Sequence, residues 1–187
     1  MTARVFLDAC VLFPPLVRSL ILAVAEQGAF QPFWSDRVLD EWRLAVARQH
    51  GVEGEAGSLA AQAQMARDFL DAAVAPVEEV PAKEAPDIHL PDPADLHVVG
   101  AALAAQADTI LTFNMRDFPA RTLAPLGLQP RHPDSFLWEH LSHAPERLSP
   151  VISDTLTGFG IDPAAARAPL KRAHLGRFAK AWHEKAQ

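Results

Sequence analysis

The sequence predicts an α/β fold, a parallel sheet covered by helices on both faces, with a helical C-terminal extension. Three observations predict it. Val5-Phe6-Leu7 and Thr109-Ile110-Leu111-Thr112-Phe113 are short, nearly continuous apolar runs, as strands buried on both faces require. Capped helical runs separate the strand candidates, and that alternation implies right-handed crossovers between parallel strands. After Pro133 no strand pattern remains, only helical candidates.

Taken in order, Val5-Phe6-Leu7 is the first strand. Pro14 and Pro15 precede a helix from Leu16 to Glu26, which Gly28 closes. Gln31-Pro32-Phe33-Trp34 is the second strand. Ser35 caps a helix reaching about His50, with Gly51 after it. A longer helix spans about Glu55 to Ala73, and Pro76 to Val80 is a weak third strand. Residues 81–91 carry Pro81, Pro86 and Pro91 and form an irregular connection. Asp92 reads as an N-cap, Pro93 as the first helical residue, and the helix runs to Ala105. Thr109 to Phe113 is the fourth strand and Gly127-Leu128-Gln129 the fifth. Helices are expected over Asp134–His140, Pro145–Leu156 and Pro169 to about Lys185.

Composition bounds the function. At 187 residues and 49% hydrophobic content, the chain suits one compact domain with a modest extension. Cys10 is the single cysteine, so no internal disulfide forms and a reducing, cytoplasmic setting fits. No apolar run approaches the roughly 18 residues needed to span a bilayer, so no membrane is expected. The formal net charge of −6 hides an asymmetry. Residues 121–187 carry nine Lys or Arg against six Asp or Glu, whereas residues 1–120 carry eight against seventeen. A basic tail beside an acidic body can track a phosphate backbone, and it can equally be a solvated helix face.

Open parallel sheets bind ligands outside the carboxyl ends of their strands, where the strand order reverses. Asp8 follows the first strand, and Asn114 and Asp117 follow the fourth. If those strands are neighbours, these side chains share one crevice. Asp95 starts the helix leading into the fourth strand and lies on the same rim. The apolar stripe Val38, Trp42, Ala45 and Val46 puts Glu41 on its margin and Asp40 on the opposite face, at about 100° per residue. Clustered carboxylates repel one another, so the site is tolerable mainly with a cation in it, and a divalent-metal enzyme is the leading reading.

Each residue also has a bland explanation. Asp8 alone could cap a turn, Asp95 could serve only the helix dipole, and Glu41 could be a flank residue. Convergence on one sheet edge favours the site. Asp92 is left out as a cap. His97, in the same turn as Asp95, is expected to support by packing or hydrogen bonding rather than to ligate. Cys10 reads as a small buried hydrophobe with no base to activate it. A phosphatase or dehalogenase of another doubly wound fold also places an Asp after strand one. It needs a second Asp two residues on, where this chain has Cys10.

Phe6-Leu7-Asp8-Ala9-Cys10-Val11-Leu12, Asp40-Glu41-Trp42, Asp92-Pro93-Ala94-Asp95-Leu96-His97-Val98 and Thr112-Phe113-Asn114-Met115-Arg116-Asp117-Phe118-Pro119 resemble successive signatures of the PIN domain. The last two segments and their spacing are the most specific. The resemblance runs from about residue 3 to 138 and is strongest to VapC-type toxins with a helical C-terminal extension. It implies a three-layer α/β/α PIN-like domain over residues 1–138, an extension over 139–187, and metal-dependent ribonuclease activity. Asp8, Glu41, Asp95 and Asp117 fall on the family's four acidic positions, with Asp8, Asp95 and Asp117 the expected ligands of Mg²⁺ or Mn²⁺. Thr112 and Asn114 fall on its polar supporting positions. Many relatives have Asp where this chain has Asn114, so the number of ions stays open, and close relatives often show an acidic residue where it has Ser19. The implied partners are RNA and a VapB-like antitoxin, with a homodimer also considered. Arg172, Arg177 and Lys180 are candidate RNA contacts, lying outside the apolar arc of Leu170, Leu175, Phe178 and Trp182. The alternative is a catalytically weak PIN domain serving as an RNA-binding or protein-interaction module.

Overall fold

The computed structural model describes residues 2–49 and 87–185. The helix expected over 55–73, the strand expected over 76–80 and the first part of the 81–91 connection lie outside the described residues. Four parallel strands form one sheet: β1 (Ala3–Leu7), β2 (Phe30–Phe33), β3 (Thr109–Leu111) and β4 (Gln129–Arg131), in the order β2-β1-β3-β4. Val5 pairs with Pro32 on one side and Thr109 on the other, and Thr109 pairs with Gln129.

Successive strand residues point to opposite faces. Val5, Phe6 and Leu7 are all buried, as are Thr109, Ile110 and Leu111, so both faces of the central strands are covered. The two prolines within strands, Pro32 and Pro130, sit on β2 and β4, the outer strands of the described sheet. Proline cannot donate to a ladder and is tolerated at an edge.

Helix α1 (Ala9–Leu12) follows β1, and α2 (Pro15–Glu26) starts on Pro15 and stops where Gly28 takes φ +71°. In α3 (Asp36–Gln49) the Val38 N–H donates to Ser35 Oγ at 3.3 Å, the expected cap. A 3₁₀ turn (Pro93–Asp95) leads into α4 (Leu96–Ala104), and the short α5 (Ala120–Leu123) precedes β4. The C-terminal helices are α6 (Pro133–His143), α7 (Pro145–Gly158), α8 (Arg167–Arg172) and α9 (Gly176–Lys185). Helix α7 packs on α2, and α9 on α6 and α8. A single apolar core runs from Val5 to Trp182. The boundary expected at residue 138 falls within α6.

Several expected strand and helix boundaries move. The second strand begins one residue earlier, at Phe30. The fourth ends at Leu111 rather than Phe113, although the Thr112 N–H still donates to Arg131 C=O at 3.0 Å. The last begins at Gln129, because Gly127 is in the left-handed region at φ +75° and closes a turn. The helix expected from Pro169 to Lys185 is two helices. His174 sits at φ +60°, its N–H donates to Lys171 C=O at 3.1 Å, and the Leu175 N–H donates to Leu170 C=O at 3.0 Å. That pair of bonds is a Schellman terminus. The Arg177 and Phe178 N–H groups then donate to the two carboxylate oxygens of Asp134, at 3.0 and 2.8 Å. A carboxylate from α6 thus caps α9 across 43 residues of sequence.

Candidate functional site

The carboxyl ends of β1 and β3 are adjacent, with Leu7 opposite Leu111. The ladder continues one step, as the Asp8 N–H donates to Leu111 C=O at 3.1 Å. Asp8 and Thr112 therefore leave the sheet side by side. Asp8 is 6% exposed and Thr112 fully buried. Thr112 Oγ1 donates to Asp8 Oδ2 at 2.7 Å, and Cys10 Sγ donates to the same oxygen at 3.0 Å. A hydrogen bond to a charged group contributes about 1.5–3 kcal/mol. Although Asp8 occupies the N-cap position of α1, its side chain makes no capping bond, so the turn-cap explanation fails.

Asp92 caps as expected, and Asp95 does not. Asp92 accepts from the Ala94 N–H at 2.8 Å and caps the 3₁₀ turn, while the Asp95 side chain caps nothing. Asp95 is half-buried, and its pKa is raised from 3.8 to about 6. Burial is the largest cause, followed by the negative charges of Asp8, Asp92, Asp117 and Glu41. The other three acidic residues picked from the sequence thus all act on Asp95, and Asp92 adds its charge to theirs.

Glu41 lies on the inner margin of α3, half-buried, and Asp40 is exposed. Glu41 Oε1 accepts from His97 Nε2 at 2.9 Å and faces Arg37 Nε at 3.5 Å. His97 therefore supports from α4, tying Glu41 to the helix that carries Asp95. Burial lowers its pKa most, against the opposing pull of Glu41. Asp117 is half-buried in the turn after β3, where its N–H donates to Asn114 C=O at 3.0 Å. Asn114 contributes through its backbone: its N–H donates to Thr112 Oγ1 at 2.9 Å, and its side chain is exposed. Arg18, beside Ser19 on α2, donates to Leu12 C=O at 2.6 Å and lies 5.1 Å from the Trp42 ring.

Cys10 is the residue that the sequence reading undervalued. Its sulfur is only half-buried and accepts from the Phe113 N–H at 3.2 Å while donating to Asp8. Burial, then Asp8, push the thiol up to about 12, so it remains a protonated donor. The signal was its position two residues beyond Asp8, on the turn that starts α1.

The candidate RNA contacts fare unequally. Arg172 is exposed at the end of α8. The Arg177 guanidinium stacks 3.4 Å from the Trp138 ring centroid, and Lys180 Nζ faces Glu184 at 3.8 Å. Leu170, Leu175, Phe178 and Trp182 are all buried as expected, despite the break at His174.

The acidic donor set consists of hard, anionic oxygens, which suits Mg²⁺ or Mn²⁺. Burial and the neighbouring carboxylates both raise Asp95. Among the described residues, no three Asp, Glu, His or Cys side chains stand close enough to ligate one ion. Asp95 and Asp117 are half-exposed at the rim, whereas Asp8 is fixed by its hydrogen bonds. Among the described residues no helix is long and apolar enough to cross a membrane.

A family model described as the PIN domain matches residues 4–116. The matched span includes Asp8, Glu41, Asp95, Thr112 and Asn114 and ends one residue short of Asp117. A Mycobacterium tuberculosis protein named "Putative ribonuclease VapC50" is 36% identical over 69 residues. That alignment spans 37% of this chain and 40% of the mycobacterial protein. No solved structure matches the chain at a significant level.

Proposed function

Because this chain belongs to the PIN-domain family, we propose that it is a metal-dependent endoribonuclease, the toxin of a VapBC-type pair. The observation that carries the reading is the convergence of Asp8, Glu41, Asp95 and Asp117. It is expressed in the raised pKa of Asp95, at the carboxyl edge of the two central strands. The partial likeness to the mycobacterial VapC50 supports RNA as the substrate class. A VapB-like antitoxin, a homodimer, a cytoplasmic setting and a division into nuclease domain (1–138) and extension (139–187) belong to the same proposal.

Asp8, Asp95 and Asp117 would hold the cation. When bound, Mg²⁺ or Mn²⁺ supplies Lewis acidity toward water and phosphate oxygens. The chain's own residues do the positioning. Thr112 and Cys10 fix Asp8 by one oxygen, and among the described residues its other oxygen has no protein donor. His97 and Arg37 both engage Glu41 Oε1, giving the site a fourth carboxylate able to accept from a water. Asn114, through its N–H, holds the Thr112 hydroxyl in the orientation that donates to Asp8.

The spread of the carboxylates beyond ligation distance favours a second reading, a catalytically weak PIN domain that binds RNA or protein. One experiment separates the two. A single-stranded RNA incubated with the protein in Mn²⁺ should be cut, with cutting stopped by EDTA and by Asp8→Asn. Binding with no Mn²⁺-dependent cleavage would decide for the module.

A further inference from the structure

Phe113 directly follows Thr112, the residue that holds Asp8, and its backbone N–H is tied to Cys10 Sγ. Two imidazoles meet the Phe113 ring edge-on. The His132 centroid lies 5.1 Å away at an interplanar angle of 80°, and that of His174 lies 6.2 Å away at 68°. The three rings come from the end of β3, the start of α6 and the joint between α8 and α9. Phe113 and His132 are half-buried and His174 is exposed.

The His132 imidazole is held by a hydrogen bond and His174 by its backbone. His132 Nδ1 accepts from the Asp134 N–H at 3.1 Å, and the Asp134 carboxylate in turn caps α9. His174 occupies the left-handed position of the Schellman terminus, where glycine is the low-cost residue. Gln106 is left-handed at the end of α4 as well, so the backbone conformation alone does not single out His174. Its contact with Phe113, beside the acidic rim, does. Lys171 and Arg172, just before it, are exposed cations.

We propose that Phe113, His132 and His174 form a stacking platform for a base of single-stranded RNA, with Lys171 and Arg172 flanking it for the adjoining phosphates. The inference rests on the nuclease reading and says where the substrate's bases are held. Carboxylates repel a phosphate backbone, so a strand entering this rim needs a grip that does not depend on phosphate charge. Aromatic faces provide one, and they accept any base. The C-terminal helices thereby gain a role in substrate holding through His174.

The test uses the full chain and a short fluorescein-labelled single-stranded RNA, with binding read by anisotropy in EDTA. His174→Gly relieves the left-handed backbone, so Tm should hold or rise while affinity falls about fivefold or more. Phe113→Leu keeps the apolar packing and the N–H to Cys10, and should weaken binding in the same way. His174→Gly keeps the test decisive should Phe113→Leu fail to fold. An RNA of the same length made of abasic nucleotides should bind wild type and variants alike. With Mn²⁺, KM should rise and kcat should stay. If wild type binds and cuts RNA while the folded variants bind as tightly as wild type, the platform is wrong and the nuclease reading stands. The platform is equally wrong if the variants weaken abasic RNA as much as ordinary RNA. Wild-type protein that neither binds nor cuts RNA would remove both.

Discussion

At the rim of the sheet, Asp8 is 6% exposed and receives hydrogen bonds from Thr112 and Cys10. On α9, Lys180 faces Glu184 across 3.8 Å with both side chains largely in solvent. The two regions carry opposite charge and hold it differently. A parallel ladder delivers Asp8 and Thr112 to the same place because the residues before them are paired one to one. Their geometry is therefore set by buried backbone. Two basic residues of α9 are engaged locally instead, Lys180 by Glu184 of its own helix and Arg177 by the face of Trp138. Charge held by a sheet end is preorganised for chemistry, and charge on a helix face adjusts to its neighbours. Substitutions in each region put that contrast to measurement.

The largest effect is expected at the fixed end. Asp8→Asn keeps the shape and an acceptor for Thr112 but removes the anion, and should lower RNA cleavage by at least about 100-fold. Thr112→Val removes the donor to Asp8 together with the acceptor for the Asn114 N–H, and should cost about 10–100-fold, the range of a ligand-supporting bond. Circular dichroism should show both variants folded. Asp92→Asn should be silent, because Asn caps about as well as Asp. Loss of activity in Asp92→Asn equal to that in Asp95→Asn would place the functional carboxylate on the wrong residue of this turn.

In stability the order reverses, and the helix pair matters most. Asp134→Ala leaves the Arg177 and Phe178 N–H groups without their carboxylate, at a cost of about 1–2 kcal/mol. Thermal melts should show Tm lower by about 2–8 °C. Asp134→Asn should recover most of the loss. A melt unchanged by Asp134→Ala would mean that the apolar contacts of Phe178 and Trp182 hold α9 without its cap.

Much of this was legible in the sequence, and the exceptions have physical causes. Asp92 and Asp95 could be told apart because an N-cap followed by proline specifies its own geometry. Glu41 and Asp40 could be told apart by helical phase. The end of β3 could not be read, because burial continues through Thr112 after strand pairing ends at Leu111, and apolarity reports burial rather than pairing. The break at His174 carried no glycine to announce it. The apolar spacing stayed regular because Leu170 and Leu175 close a Schellman terminus, in which those two positions make an apolar contact of their own. Cys10 looked like a filler because nothing in a sequence tells a thiol whether a carboxylate two residues away will turn toward it.

The next effect is smaller and depends on pH. With its pKa near 6 in the folded protein against 3.8 ordinarily, Asp95 keeps a proton that the unfolded chain has already lost. Its stabilising contribution is full below 3.8 and is lost as pH rises through about 6. Asp95→Asn should therefore raise the Tm of metal-free protein at pH 7 and leave it unchanged below pH 4. Screening at this half-exposed group limits the gain to about 1 kcal/mol, about 2–4 °C. Millimolar Mn²⁺ should stabilise wild type at pH 7 and do so less in Asp95→Asn, because binding to the folded state alone shifts the equilibrium. Identical melts with and without Mn²⁺ in both proteins would count against a cation at the rim.

The smallest effect belongs to the basic face. Changing Arg172, Arg177 and Lys180 together to Ala removes three positive charges, which would reduce the salt slope of binding to a single strand by about 2 if all three met phosphates. The structure argues for less. Arg177 is stacked on Trp138 and Lys180 is paired with Glu184, leaving Arg172 as the one of the three with neither engagement. The slope should then fall by about 0.7, one phosphate contact on a single strand. Arg172→Ala alone should reproduce that fall, while Arg177→Ala and Lys180→Ala change it little. The cleavage step at saturating RNA should be the same in every variant, since none of the three touches the acidic rim. Titrations of binding against salt measure the slopes directly. A full loss of about 2 in the triple variant would show that RNA strips Arg177 and Lys180 from their partners, and that this helix face engages the substrate as fully as the rim does.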